Sequence, residues 1–281
     1  MLLIGKMYIT SKKELQSNWA DKLYESVDGS GLREASLVPP VHSWISAATS
    51  WLSTRSFFEC VQVRSNSMTT KMRMKRGRGN DLRCDKGCNH VETLAHICQV
   101  CPAAWGPRVR RHNNILYFVR QRLRRLGYLV ELEPQFRTDK ELLRPDLLAV
   151  RDGSAWVIDV QVVSDSRHFT FSAAHQMKLR KYQDVVPIVR AREGIKGVAL
   201  STVTVNWRGC VAEETALLWR DLGLYLSDLK IISLRALSGS AVCVRTFFTT
   251  AGGARLMMPD ARSGWRSGSV RPPRDRVPNI T

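Results

Sequence analysis

The chain has 281 residues, room for one sizeable core and a small second unit. Lys and Arg number 43 against 25 Asp and Glu, and the formal net charge of +18 points to a polyanionic partner. No run of 18 apolar residues and no basic segment beside a spanning helix occurs, so nucleic acid, not a membrane, is the expected polyanion. The opening "MLLIGKMYITSKKELQ" has too short an apolar stretch for a signal peptide, and clustered cysteines fit a reducing compartment.

Residues 11–55 read as two or three amphipathic helices. "SKKELQSNWADKLYESV" opens on Ser11 and carries Leu15, Trp19, Leu23 and Val27 at four-residue intervals, a face expected to join the core. "KMRMKRGRGN" (71–80) holds five basic residues and no acid and ends in glycines, as an extended positive linker would.

The stretch "CDKGCNHVETLAHICQVC" follows, with Cys84, Cys88, His96 and Cys101 spaced C-x3-C-x7-H-x4-C, a tetrahedral zinc complement. Gly87 permits a tight turn between two thiolates, "VETLAHICQVC" can run as a short helix, and Pro102 stops it. Cys98 and His90 lie close enough to compete as ligands. An ideal helix aims His96 and Cys101 about 140° apart, so the preferred choice, Cys101, requires a loosened last turn. Four protein ligands leave no open position, which makes the expected zinc structural.

From Pro107 to about Gly127 a helix is expected. Val109, Ile115, Leu116, Val119, Leu123 and Leu126 trace its apolar stripe; Arg108, Arg110, Arg111, Arg120, Arg122, Arg124 and Arg125 mostly face elsewhere and are expected to grip phosphates. β-type runs then fall at 128–134, 145–150, 155–163 and 196–209, with helical patterns at 172–184 and 211–223, the signature of an α/β core of about 150 residues. After Thr250 the chain is rich in Gly, Pro, Ser and Arg, and 251–281 reads as a disordered basic tail. No internal repeat is visible.

The sharper chemistry lies in "RPDLLAVRDGSAWVIDVQVV" (144–163). Asp152-Gly153 is a preferred two-residue hairpin turn. With those two residues as the loop, 151 faces 154 and Asp146 falls opposite Asp159, their Cβ atoms about 4.5–5.5 Å apart. Alternation puts Gln161 on the same face and sends Ile158, Val160 and Val162 into a core. Such a carboxylate pair repels itself unless it shares a cation or a proton, and Mg²⁺ suits it; the plain alternative is that Asp146 only follows a proline and Asp159 faces solvent. "AAHQMKLRKYQD" (173–184) sets Lys178 and Tyr182 on one helix face, with Lys181 a neighbouring alternative for a lysine beside the metal.

Taken in order, "RGRGNDLRCDKGC", "ETLAHICQVC", "RVRRHNNI", "RPD", "VIDVQVVSD", "AHQMKLRKY" and "NWRG" resemble landmarks of the restriction-like endonuclease portion of site-specific non-LTR retrotransposons of the R-two class, over roughly residues 57–250. The resemblance implies a helical and basic linker (1–80) downstream of a reverse transcriptase, a CCHC zinc knuckle (81–105), a restriction-endonuclease-like α/β domain with a mixed sheet flanked by helices (106–250) and the basic tail (251–281). It implies Mg²⁺ held by Asp146 and Asp159, with Lys178 assisting the water or phosphate, Arg144 and Tyr182 positioning the strand, and structural Zn²⁺ on Cys84, Cys88, His96 and Cys101. Gln161 departs from the broader nuclease pattern, standing where a lysine usually follows the second acid. The aromatic-Ala-Asp-Asp motif of a polymerase palm is absent from the chain, so polymerase activity is implied only for a longer parent. The implied partners are target DNA, in particular ribosomal DNA, and element RNA, and the implied location is the nucleus. A competing expectation is a non-catalytic, zinc-dependent nucleic-acid-binding module.

Overall fold

The computed structural model describes residues 2–4, 7–9, 11–46, 52–76, 78–79, 81–165 and 170–250; the basic tail expected at 251–281 lies outside them. The sheet is built on the Asp152-Gly153 turn. Both residues have positive φ (54° and 80°), the conformation a two-residue turn between right-twisted strands demands, and Asn-, Asp- and Gly-type residues adopt it at least cost. The turn joins β6 (Leu147–Arg151) to β7 (Ser154–Val163) in the expected register, Arg151 facing Ser154 and Leu147 facing Ile158. β3 (Leu129–Leu132) pairs antiparallel with β6, and β8 (Gly197–Asn206) pairs parallel with β7 over ten residues, giving the order β3-β6-β7-β8. Short β4 (Phe136–Arg137) and β5 (Leu142–Leu143) form a separate pair, as do β1 (Leu2–Ile4) and β2 (Met7–Ile9).

Helices cover both faces, the α/β architecture the alternating patterns predict. The crossover between β7 and β8 contains α6 (Phe171–Tyr182) and α7 (Val185–Arg190), whose Tyr182, Val185 and Val189 pack with Leu148, Ala155 and Val157. On the other face Ile158, Val160, Val203 and Val205 meet α5 (Trp105–Arg125), α8 (Glu213–Asp221) and α9 (Leu229–Thr249) through Ile115, Val119, Trp219, Ile232 and Ala236. Val157 and Ile158 thus belong to different layers, as period-2 alternation requires.

α9 is apolar along most of its length because most of it is buried. Leu226–Thr249 is long and apolar enough to cross a membrane by length and composition, against the expectation of no such segment. In the fold it is a central helix, with Leu234, Leu237, Cys243, Val244 and Phe247 buried against α2 (Thr54–Arg64), α4 (Leu94–Gln99) and Trp207. Gly239 lets α5 approach: a Cβ there would lie 2.5 Å from Cγ of Arg111.

Two N-terminal expectations are corrected. α1 (Lys12–Glu25) buries none of its residues, and Trp19, Leu23 and Val27 are exposed, because the helix packs on the short adjoining segment Ser30–Leu37 and not in the core. The segment at 71–80 is not simply extended: Lys71–Met74 forms a helical turn, α3, capped by Thr70. Its cations hold neighbouring chain, Lys71 on Asp81 and Asp85 and Arg73 on Asp28. Those two cations are thereby committed to contacts within the protein.

Candidate active site and metal centre

Asp146 and Asp159 converge as the hairpin register requires. Asp146 precedes β6 by one residue; its Oδ2 accepts the Val160 N–H at 2.6 Å, and Nε2 of His112, on α5, lies 3.3 Å away. Asp159 is 4% exposed. Its Oδ2 pairs with Nζ of Lys178 at 2.7 Å and its Oδ1 accepts the Tyr182 hydroxyl at 2.7 Å. Burial and then the charge of Asp146 raise the pKa of Asp159, while Lys178 and Tyr182 oppose the shift. The charge of Asp146 disfavours ionisation of buried Asp159, and nearby positive charge, here the Lys178 ammonium, favours it.

Lys178 and Tyr182 share one face of α6, and Lys178 rather than Lys181 reaches the acid. Lys181 instead lines, with Arg144, Asp146, His112, Arg108 and Trp105, an 860 Å³ cleft that reaches from Asp146 toward the N-terminal end of α5; Asp159 and Lys178 lie behind its lining. Tyr182 is buried, and its hydroxyl lies 3.2 Å from the Arg144 carbonyl as well as bonding Asp159. The burial of Tyr182 runs against the strand contact expected of it; its hydroxyl instead orients Asp159. Gln161 is drawn into a polar ladder, its Nε2 donating to Thr204 Oγ1, which contacts Thr202 and through it His175.

His112 is the residue that sequence reasoning missed. Its Nε2 lies 2.9 Å from the Val160 carbonyl as well as beside Asp146, and its Nδ1 lies 3.2 Å from Asn113. Burial lowers its pKa, but the hydrogen bond and charge of Asp146, with Asn113 and Val160, outweigh that and hold it at about 9. The partner stands 34 positions away, so no local spacing announces the pair.

Among the arginines of α5, Arg110 is exposed. Arg108 is half-buried and bonded to the Gln99 carbonyl, its guanidinium 5.5 Å from the centroid of the Trp105 ring. Arg111 is 2% exposed and donates to Ser240 Oγ (2.7 Å) and Gln99 Oε1 (2.6 Å). The phosphate contact expected of Arg111 is accordingly corrected: it ties α5 to α4 and α9.

Cys84, Cys88, His96 and Cys101 bring their donor atoms within 4.8 Å of one another. Gly87 (φ 70°) and Asn89 (φ 60°) make the tight turn, and Thr93 caps α4, on which His96 stands. The last turn does loosen: the N–H groups of Val100 and Cys101 both bond the His96 carbonyl, which swings Cys101 back toward the histidine. Cys98 points away, toward the Ser240 carbonyl. The Sγ atoms of Cys84 and Cys101 are 3.9 Å apart, against about 3.8 Å for two corners of a tetrahedron with Zn–S bonds of ~2.3 Å. Burial pushes the Cys84 and Cys101 thiols up, whereas burial, then His90 and Arg108, push His96 down, leaving it a neutral donor. The four residues fit a zinc ion.

No protein-family profile matches the chain. It is similar to the Retrovirus-related Pol polyprotein from type-2 retrotransposable element R2DM of Drosophila melanogaster, 34% identical over 259 residues, 90% of this chain and 24% of the relative. A type-1 retrotransposable element R2 polyprotein of Nasonia vitripennis is 31% identical over 249 residues, covering 86% and 24%. One from Popillia japonica is 28% identical over 253 residues, covering 87% and 52%. An α/β unit with a Cys/His cluster ahead of it, similar along most of its length to such proteins, is part of a retrotransposon polyprotein. The family is that of the R2 Pol polyproteins, to which the chain belongs as a C-terminal portion, spanning about a quarter of the length of the first two relatives.

Proposed function

We propose that this portion is a divalent-metal-dependent DNA endonuclease that nicks a chromosomal target, in particular ribosomal DNA, in the nucleus. The observation that carries the reading is the meeting of Asp146 and Asp159 with Lys178 beside a basic cleft. Mg²⁺ held by the two carboxylates would polarise the phosphodiester and acidify an attacking water. The protein's own residues do the rest. Val160 N–H and His112 fix the Asp146 carboxylate, Tyr182 fixes that of Asp159, and Lys178 supplies positive charge where the phosphorane gathers negative charge. Arg144 and Lys181 on the cleft wall, with Arg108 and exposed Arg110, hold the strand by its phosphates without reading bases.

The zinc cluster would be structural. Its helix α4 packs on α9, and Gln99 of α4 bonds the Val162 carbonyl of β7, so the metal stiffens the wall from which the cleft rises. The division into linker, knuckle, nuclease and tail is proposed as one of function, since linker and knuckle share a hydrophobic cluster with α9 and Trp207. Nicking that leaves a 3′-hydroxyl would prime copying of element RNA by an upstream polymerase of the same polyprotein.

The test is to incubate the chain with supercoiled plasmid in Mg²⁺ and ask whether the nicked product's end can be extended by a DNA polymerase. Mg²⁺-dependent nicks that are extended support the reading. Retained DNA binding with no nicking would favour the zinc-dependent binding module instead.

A further inference from the structure

The geometry points to a second nucleic-acid surface, in the groove between α5 and α9, that takes a single strand distinct from the one in the catalytic cleft. The two helices run antiparallel, with Arg111 against Gly239, Arg235 Nη1 donating to the Asn114 carbonyl at 2.8 Å and Arg122 Nη2 to Asp228 Oδ1 at 2.9 Å. Between them lies a groove of 360 Å³ whose walls carry Arg122, Arg125 and Arg235 and whose floor includes Phe118, Ile231 and Leu234. No carboxylate lines it among the described residues.

The charge arrangement asks for an anion. The guanidiniums of Arg122 and Arg235 lie 5.1 and 5.2 Å from the centroid of the same Phe118 ring, so two cations converge on one aromatic. Asp228 answers only Arg122; among the described residues Arg125 and Arg235 have no ion-pair partner. In a chain with a net charge of +18, that concentration favours a polyanion over a single acidic side chain.

The apolar floor narrows the class. The Phe118 ring is buried and covered by the two guanidiniums, so an unpaired base can lie on Ile231 and on the guanidinium planes while the arginines' outer N–H groups take the flanking phosphates, whereas a duplex hides its bases and offers phosphates alone. The volume sits at the small end of ligand pockets, roughly 300–1,000 Å³. At about 100° per residue, Phe118, Arg122 and Arg125 stand roughly 80–140° around α5 from His112. With a helix some 10 Å thick between them, one nucleotide cannot touch both Asp146 and this groove. The surface does not depend on the nuclease reading.

Its test uses the full chain, comparing wild type with Arg125→Glu/Arg235→Gln. Fluorescence anisotropy would follow short labelled RNA and DNA single strands of equal length, and a labelled duplex, across a salt series. The expected result is a loss of about tenfold or more in single-strand affinity, with the salt slope smaller by about 1.4 for two lost phosphate contacts, and a smaller loss in duplex affinity. The RNA and DNA arms identify which strand is preferred. Unchanged single-strand affinity, or equal losses for single strand and duplex, would overturn the proposal. Because Arg235 also ties the two helices, wild type is separately photocrosslinked to an iodouracil-containing strand. Adducts on 117–125 or 231–238 support the groove, whereas no adduct there, or adducts confined to the cleft segment 133–146, contradict it.

Discussion

The Asp159 carboxyl is nearly sealed from water, yet both its oxygens are engaged, one by an ammonium and one by a phenol hydroxyl. Hydrophobic alternation along β7 told which way this side chain faces, and the spacing of Lys178 and Tyr182 told that they share a helix face. Neither could tell that Tyr182 would be buried, because depth depends on what α7 and β6 bring from elsewhere. His112 is the extreme case, defined wholly by a distant partner. Its raised pKa has a consequence in magnesium-free buffer: the stabilisation from the His112–Asp146 pair is fully present below about pH 6.5 and is lost as pH rises through about 9. Urea unfolding of wild type and His112→Asn should therefore differ by on the order of 1–3 kcal/mol at low pH and converge above pH 9. A gap that widens with pH would contradict the pairing.

At the scale of elements, local chemistry decides geometry wherever a turn is short. The Asp152-Gly153 turn fixes the β6–β7 register, and the register alone sets Asp146 beside Asp159. In the same way the loosened end of α4 chooses Cys101 over Cys98. Cys101→Ser should lower bound zinc from about one ion per chain to nearly none by mass spectrometry, while Cys98→Ser retains it. The reverse pattern would show the ligand set to be mistaken. α9 escaped sequence reading for the opposite reason, since a helix apolar around most of its circumference has only a weak stripe to detect. Its contact with α5 depends on Gly239. Gly239→Ala forces a methyl group into the Arg111 side chain and should cost about 1–3 kcal/mol of unfolding free energy, read as a lower urea midpoint. An unchanged midpoint would mean the helices separate freely.

For the molecule as a whole, the basic balance, the α/β class and the order of motifs were legible in the sequence, because charge, period and turn chemistry are local quantities. The assembly of the parts was not. Cys84, Leu94 and Ile97 of the zinc-cluster segment, Trp44 and Val63 upstream, and Trp207 just after β8 all enter one cluster with α9, contacts made across long sequence separations. Some of the basic residues turn out to be structural: Arg111, read as a phosphate grip, and Arg208 are buried on protein acceptors, and Lys71 pairs with acids. The surplus of charge is thus concentrated in fewer exposed arginines than composition suggested, which sharpens where nucleic acid can bind. The central functional claim is that the carboxylate pair does chemistry. It is tested most directly by the Mg²⁺-dependent nicking rate of wild type against Asp146→Ala, at matched zinc content and DNA affinity. The account predicts nicking by wild type and none above background by the variant; equal nicking by both would contradict it.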